Sequence, residues 1–195
     1  MLTIQNTFVV IASLLSAIAS LPYIYSILRG ETKPSGASWW SWTLITMVTV
    51  VSSWFAGASW QVLVLPIWLC FVQFGIAILS IKRGDNNWDG LNKVCVAGVL
   101  VGVILWILVG EPLIALVIGI IADMLASIPN FRHVFKNPEQ ENRTGWTLGW
   151  LSSVFELFAM GKWSVAESGW ALYFFGNMTV TLFLVWRKQM LKIVK

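Results

Sequence analysis

Long apolar runs separated by short polar segments dominate the chain. Each reaches or approaches the roughly 20 residues that a helix needs to cross a hydrocarbon core of about 30 Å. None alternates apolar with polar residues, as the strands of a membrane barrel would, so the pattern predicts an all-α fold. The seven predicted segments are Thr7–Leu28, Trp39–Ala56, Gln61–Ile81, Leu91–Val109, Leu113–Val134, Gly145–Met160 and Val165–Trp186.

The composition supports an integral membrane protein. Hydrophobic residues make up 57% of the 195 residues and charged residues only 11%, whereas soluble domains carry about 25% charged residues. Cys70 and Cys95 both fall inside predicted helices. Their positions indicate buried thiols rather than a disulfide framework or a metal site.

The basic residues predict the orientation of the segments. With the N-terminus outside, every Lys and Arg except Lys162 lies on the inner face, in a loop, at the inner end of a segment or in the C-terminal tail. Short cytoplasmic loops collect Lys and Arg. The chain is therefore expected to be a multi-pass protein of the cell (plasma or inner) membrane with a cytoplasmic C-terminus.

An internal repeat organises the chain. Under one constant offset, "ASLPYIYSILRG" aligns with "ASIPNFRHVFKN", and Trp39 aligns with Trp146. Each half then holds three helices, and an inverting fourth helix lets the halves run parallel, as in some transporters. The predicted domains are residues 1–88 (first repeat), 89–110 (linker helix, with Gly98 and Gly102 as a packing pair) and 111–195 (second repeat and basic tail).

The segments "LPYIYSILRGETKPSGASWWSW" and "IPNFRHVFKNPEQENRTGWTLGW" resemble the PQ-loop/SWEET superfamily of seven-helix transporters. Small bacterial seven-helix proteins with a similar start are the nearest in pattern. The resemblance implies a three-plus-one-plus-three helix layout, an outer N-terminus and a proline in the first helix of each repeat. The name-giving Pro-Gln pair is replaced by Pro22-Tyr23 and Pro129-Asn130.

The resemblance also implies residues for a solute pocket between the two repeats. In sugar-carrying members, an Asn on the third helix of each repeat and a Trp on the second line this pocket. Asn177 matches the Asn in the second repeat, Gln73 stands at that place in the first, and Trp54 matches the Trp. Tyr173 lies one helical turn before Asn177, so the two share a face.

Acids and prolines inside apolar segments are the other candidates for function. Asp123 and Glu156 would each cost at least about 2.5–3.5 kcal/mol near mid-membrane, so they are predicted to couple a proton or cation to transport. Asn130 lies on the same helical face as Asp123 and joins the predicted substrate-binding residues. Pro22 and Pro129 remove backbone hydrogen bonds at equal positions of the repeats and are predicted gating hinges.

The sequence predicts a uniporter or proton-linked carrier for a small polar solute such as a sugar, a nucleoside-like vitamin or an amino acid. A non-transporting receptor or lipid-binding protein of the same fold stays open as the alternative.

The lone His133, at the end of a segment, is expected to contact lipid headgroups. Without a nucleophile motif or metal-ligand spacing, no enzyme activity, cofactor or nucleic-acid partner is expected. The expected partners are the solute and the bilayer, and assembly into a homo-oligomer is compatible with the sequence.

Overall fold

The computed structural model describes residues 4–55, 60–160 and 163–193. Over these ranges the chain forms helices and contains no β-strand, which confirms the all-α prediction. The only sheet-like pairing there is one isolated bridge between Ser35 and Asp85. The elements are α1 (Ile4–Leu28), α2 (Gly36–Phe55), α3 (Trp60–Arg83), α4 (Gly90–Leu108), α5 (Pro112–Lys136), a 3₁₀ turn (Pro138–Gln140), α6 (Arg143–Phe158) and α7 (Val165–Ile193).

Four stretches of helix in the described residues are long and apolar enough to cross a membrane. They are Ile4–Leu28, Gly90–Leu108, Leu113–Lys136 and Ser168–Met190. By contrast, α6 has 16 residues and is about 24 Å long at 1.5 Å per residue, short of a hydrocarbon core. The structure is thus compatible with membrane embedding, while the crossing by all seven segments stays a prediction.

The outward face of α1 is apolar along most of its length. Val10, Leu14, Ile18 and Leu21 recur at helical spacing and expose about half or more of their surface. A continuous exposed apolar stripe is rare on a soluble protein, whereas it costs nothing against lipid tails. The same helix buries Ala12 and Ala19, so its small residues face the protein.

Unit 1, the first of two compact units, contains α1, the end of α5 from Phe131 onward, the 3₁₀ turn, α6 and α7. Helix α6 packs against both α1 and α7. The Ser152 hydroxyl donates to the Ala12 carbonyl at 2.8 Å, which joins α6 to α1. The Trp186 indole donates to the Thr147 hydroxyl at 3.2 Å, which joins α7 to α6.

Unit 2 contains α2, α3, α4 and α5 as far as Asn130. Helix α2 packs against α3 and α4. Helix α4 approaches α5 through the predicted glycine pair. A Cβ on Gly98 would lie 2.7 Å from a Leu125 methyl carbon, and one on Gly102 would lie 3.0 Å from the Ala122 Cβ. The packing role predicted for these two glycines is therefore confirmed.

The loops before α2 and after α3 are joined by their backbones in unit 2. The Asp85 amide donates to the Pro34 carbonyl at 2.9 Å, and the Gly36 amide donates to the Asp85 carbonyl at 3.0 Å. Gly84, at the end of α3, lies against this junction, where its missing side chain permits the close approach. The predicted division at residues 88/89 and 110/111 follows the repeat along the chain and stays a prediction.

Candidate functional site

Two predicted solute-binding residues lie together on α7 in unit 1. The Asn177 amide nitrogen donates to the Tyr173 hydroxyl at 2.8 Å. Asn177 is only 8% exposed, and its backbone carbonyl accepts from the buried Thr181 hydroxyl at 3.0 Å. Tyr173, Asn177 and Thr181 are therefore connected along α7 by hydrogen bonds.

Asn130 is the most unusual of the predicted residues. It is 0% exposed, and within the described part of the chain neither its amide oxygen nor its amide nitrogen has a hydrogen-bond partner. Close by on the same helix, the buried Ser127 hydroxyl donates to the Asp123 carbonyl at 2.9 Å. Asp123 is itself half-buried and takes part in a further interaction.

The predicted residues on α2 and α3 have different surroundings within unit 2. The Gln73 side-chain oxygen is buried and has no hydrogen-bond partner among the residues that the structure describes. The Ser41 hydroxyl, near the start of α2, is also buried and has no hydrogen-bond partner among the described residues. Trp54 is 65% exposed, near the opposite end of α2. The binding roles of Gln73 and Trp54 stay predictions.

Helices α1 and α5 both run on past their prolines. The Pro22 carbonyl accepts a hydrogen bond from the Asn142 side chain at 3.2 Å, so this part of α1 is tied to the start of α6. Glu156 is half-buried on α6. The hinge role of Pro22 and Pro129 and the coupling role of Asp123 and Glu156 stay predictions.

A fully buried carboxyl group, which the sequence patterns do not single out, lies at the α5–α6 end of unit 1. The Glu141 carboxyl accepts two hydrogen bonds at one oxygen, from the Tyr23 hydroxyl at 3.0 Å and from the Trp146 indole at 2.8 Å. Its other oxygen lies 3.7 Å from the His133 Nε2 atom. We call these four residues the Glu141 cluster.

The chain around Glu141 has the features needed to hold it inward. The 3₁₀ turn follows α5 directly, and Asn142 caps α6 by accepting from the Gly145 amide at 2.7 Å. Gly145 lies so close to α1 that an added Cβ would be 3.2 Å from the Ala19 carbonyl. The Trp146 and Tyr23 rings meet edge to face at 5.9 Å. Tight α1–α6 packing thus places both donors around one carboxyl oxygen.

Burial raises the pKa of Glu141 from 4.5 to about 7, against the hydrogen bonds from Trp146 and Tyr23, which lower it. A carboxylate in an apolar interior loses the solvation that stabilises its charge, so the neutral acid is favoured. Glu139, two residues earlier, differs from Glu141 in both its exposure and the direction of its pKa shift. It is exposed, and the hydrogen bond from Lys188 at 2.7 Å lowers its pKa. Of these two neighbouring acids, only Glu141 changes charge near neutral pH.

The expectation that His133 contacts lipid headgroups was wrong. The residue is only 3% exposed, and its Nε2 atom lies 3.7 Å from the buried Glu141 carboxyl. The cluster was missed for a related reason: "NPEQEN" has the composition of a solvated loop. The available signal was the aligned pair Trp39 and Trp146, together with a tyrosine after Pro22. Among the described residues, no group of three or more His, Cys, Asp or Glu could hold a metal ion.

Comparisons with protein-family models, with curated proteins and with solved structures found no match. The resemblance to the PQ-loop/SWEET superfamily accordingly stays a prediction from the quoted segments.

Proposed function

We propose that the chain is a multi-pass membrane carrier for a small polar solute, such as a sugar, a nucleoside-like vitamin or an amino acid. It works as a uniporter or a proton-linked carrier. The proposal includes two parallel three-helix repeats, a linker helix, an outer N-terminus and a cytoplasmic C-terminus. Four helices with span-forming length and composition and the one-sided distribution of Lys and Arg support it.

The observation that carries the proposal is the buried amide of Asn130. A buried polar group without a partner costs about 1–3 kcal/mol, and such groups call for a specific explanation. An amide offers a donor and an acceptor side by side, which suits solutes with hydroxyl, amide or amino groups. The same reasoning extends to Gln73 and Ser41, whose buried oxygens in the same unit also lack partners.

Asn177 and Tyr173 support a second set of polar contacts, in unit 1. Their mutual hydrogen bond holds the amide in a defined orientation. An amide oxygen has two lone pairs, so it can accept from a ligand in addition to a protein donor. Aromatic rings beside amides are common in sites for small polar molecules, because stacking and hydrogen bonding act together.

Ligand-dependent thermal stability tests the proposal. The purified protein is heated with glucose, sucrose, thymidine, thiamine and each of the common amino acids. A solute that binds the folded state adds about 2.7 kcal/mol at a hundred times its dissociation constant. Asn130→Ala removes the donor and the acceptor offered to the solute and is expected to weaken binding about 10- to 100-fold.

The matched control is Asn137→Ala. Asn137 follows the same helix, and its side chain makes no capping hydrogen bond, so binding should match that of the wild-type protein. The proposal fails if no solute raises the stability, or if Asn130→Ala binds the stabilising solute as tightly as the wild-type protein does.

A further inference from the structure

The Glu141 cluster joins three parts of unit 1 through one carboxyl group. Tyr23 belongs to α1, Trp146 to α6, and His133 to the end of α5, while Glu141 lies in the connection between α5 and α6. All four side chains are buried. The bond from Tyr23 to Glu141 also spans a long stretch of chain, so it fastens the connection to a distant helix.

The elements packed around the carboxyl bring several titratable or charged groups to this end of unit 1. Helix α1 offers Tyr23, and the end of α5 offers His133. On α7, Lys188 pairs with Glu139 at 2.7 Å, and the Arg187 guanidinium lies 4.1 Å from the Phe135 ring. On α6, the Arg143 guanidinium lies 5.5 Å from the Trp186 ring. Of these groups, Tyr23 and His133 are the ones with atoms beside the carboxyl.

We propose that Glu141 binds a proton and thereby latches the α5–α6 connection onto α1, so that proton release opens this end of unit 1. The latch rests on the proposed carrier function, for which it supplies the proton-dependent step. In the latched state Glu141 is neutral and keeps its bonds from Tyr23 and Trp146. When the proton leaves for the aqueous phase, a buried carboxylate remains, with the Tyr23 hydroxyl and the Trp146 indole as its hydrogen-bond donors.

A buried carboxylate and a buried neutral acid differ in free energy, and this difference determines whether low or high pH favours the latched state. An uncompensated charge in an apolar interior is far more costly than a neutral acid. Two hydrogen-bond donors offset part of that cost, but burial outweighs them. Moving the Glu141 segment outward restores water to the carboxylate. Low pH therefore favours the latched connection, and high pH favours the released one.

Infrared difference spectroscopy tests the proton site directly on the full-length protein in nanodiscs, with no solute present. The wild-type spectrum minus that of Glu141→Gln should contain the carbonyl stretch of one protonated carboxylic acid. This band should disappear on raising the pH, with a midpoint near pH 7. Absence of the band at pH 5, or a midpoint in the ordinary range near 4.5, would overturn the proposal.

A distance measurement tests the latch itself. Spin labels on Arg29→Cys and Gln140→Cys, with Cys70 and Cys95 replaced by Ala, report the separation of the connection from the end of α1. The distance should lengthen on going from pH 5 to pH 9 and should stay short at both pH values after Glu141→Gln. A pH-independent wild-type distance, or a Glu141→Gln protein that still lengthens, would refute the latch.

Tyr23→Phe provides a second variant that keeps the ring against Trp146 and removes one donor to the carboxyl. Because that bond lowers the pKa of Glu141, the midpoint of the infrared band should move to higher pH. An unchanged or lowered midpoint would contradict the geometry. None of these readouts needs a transported solute, so failure of the latch is distinguishable from failure of the carrier proposal.

Discussion

Glu141→Gln should remove a loss of stability that the wild-type protein shows as the pH rises from 4.5 to about 7. The folded-state pKa of Glu141 is raised to about 7 from an ordinary 4.5. The folded protein therefore holds a proton that the unfolded chain releases, and this contribution is complete below pH 4.5. It is lost as the pH rises through 7. Each pH unit between the two pKa values corresponds to about 1.4 kcal/mol, so the loss is about 3 kcal/mol in all.

Unfolding in detergent, followed by far-ultraviolet circular dichroism at a series of pH values, measures this loss. For a chain of this size, about 3 kcal/mol corresponds to a change in Tm on the order of 10 °C. The amide of Gln keeps an acceptor for Tyr23 and Trp146 but cannot ionise. Glu139→Gln is the matched control, because Glu139 is two residues away and its side chain is exposed. This variant should lose stability with rising pH as steeply as the wild-type protein does. An equally steep slope in Glu141→Gln would show that another group is responsible.

Gly84→Ala should destabilise the protein by about 2–3 kcal/mol. An added Cβ would lie 2.5 Å from the Pro34 carbonyl oxygen and 2.7 Å from both the Cβ and the carbonyl oxygen of Ser80. Backbone atoms cannot turn aside as a flexible side chain does. The methyl group must therefore separate the loop before α2 from the end of α3.

Gly75→Ala, inside α3, is the control for the general effect of adding a methyl group at a glycine in this part of unit 2. A Cβ there meets no atom within 4 Å, so the gain in helix propensity should leave the protein unchanged or up to about 1 kcal/mol more stable. Chemical unfolding of both variants measures the difference. If the two variants are equally stable, the close approach at Gly84 is not a constraint on the fold.

The helices could be predicted because their signal is local. An apolar run of the right length is visible in the sequence, and it ends where the backbone must leave the helical conformation. After α1, Gly30 has a positive φ of 77°, a conformation that glycine adopts without the cost other residues pay. The contact between Tyr173 and Asn177 was predictable for the same reason, since residues four apart on a helix share a face.

The Glu141 cluster could not be predicted, because its partners come from distant parts of the chain. Nothing in "NPEQEN" distinguishes Glu141 from Glu139, yet one is buried and the other exposed. The difference arises only when α6 packs against α1 and brings Trp146 and Tyr23 to the same carboxyl oxygen. Likewise, the missing partners of the Asn130 amide are a property of the packed unit, whereas the sequence shows only a polar residue on an apolar helix.

Solute counterflow in proteoliposomes tests the carrier most directly. Vesicles loaded with unlabelled solute, chosen as the one that most stabilises the protein, are diluted into a trace of labelled solute. We expect the wild-type protein to accumulate label above empty vesicles, Asn137→Ala to match it, and Asn130→Ala to fall at least about tenfold in step with its weaker binding. Binding without any accumulation of label would contradict the carrier and favour a receptor.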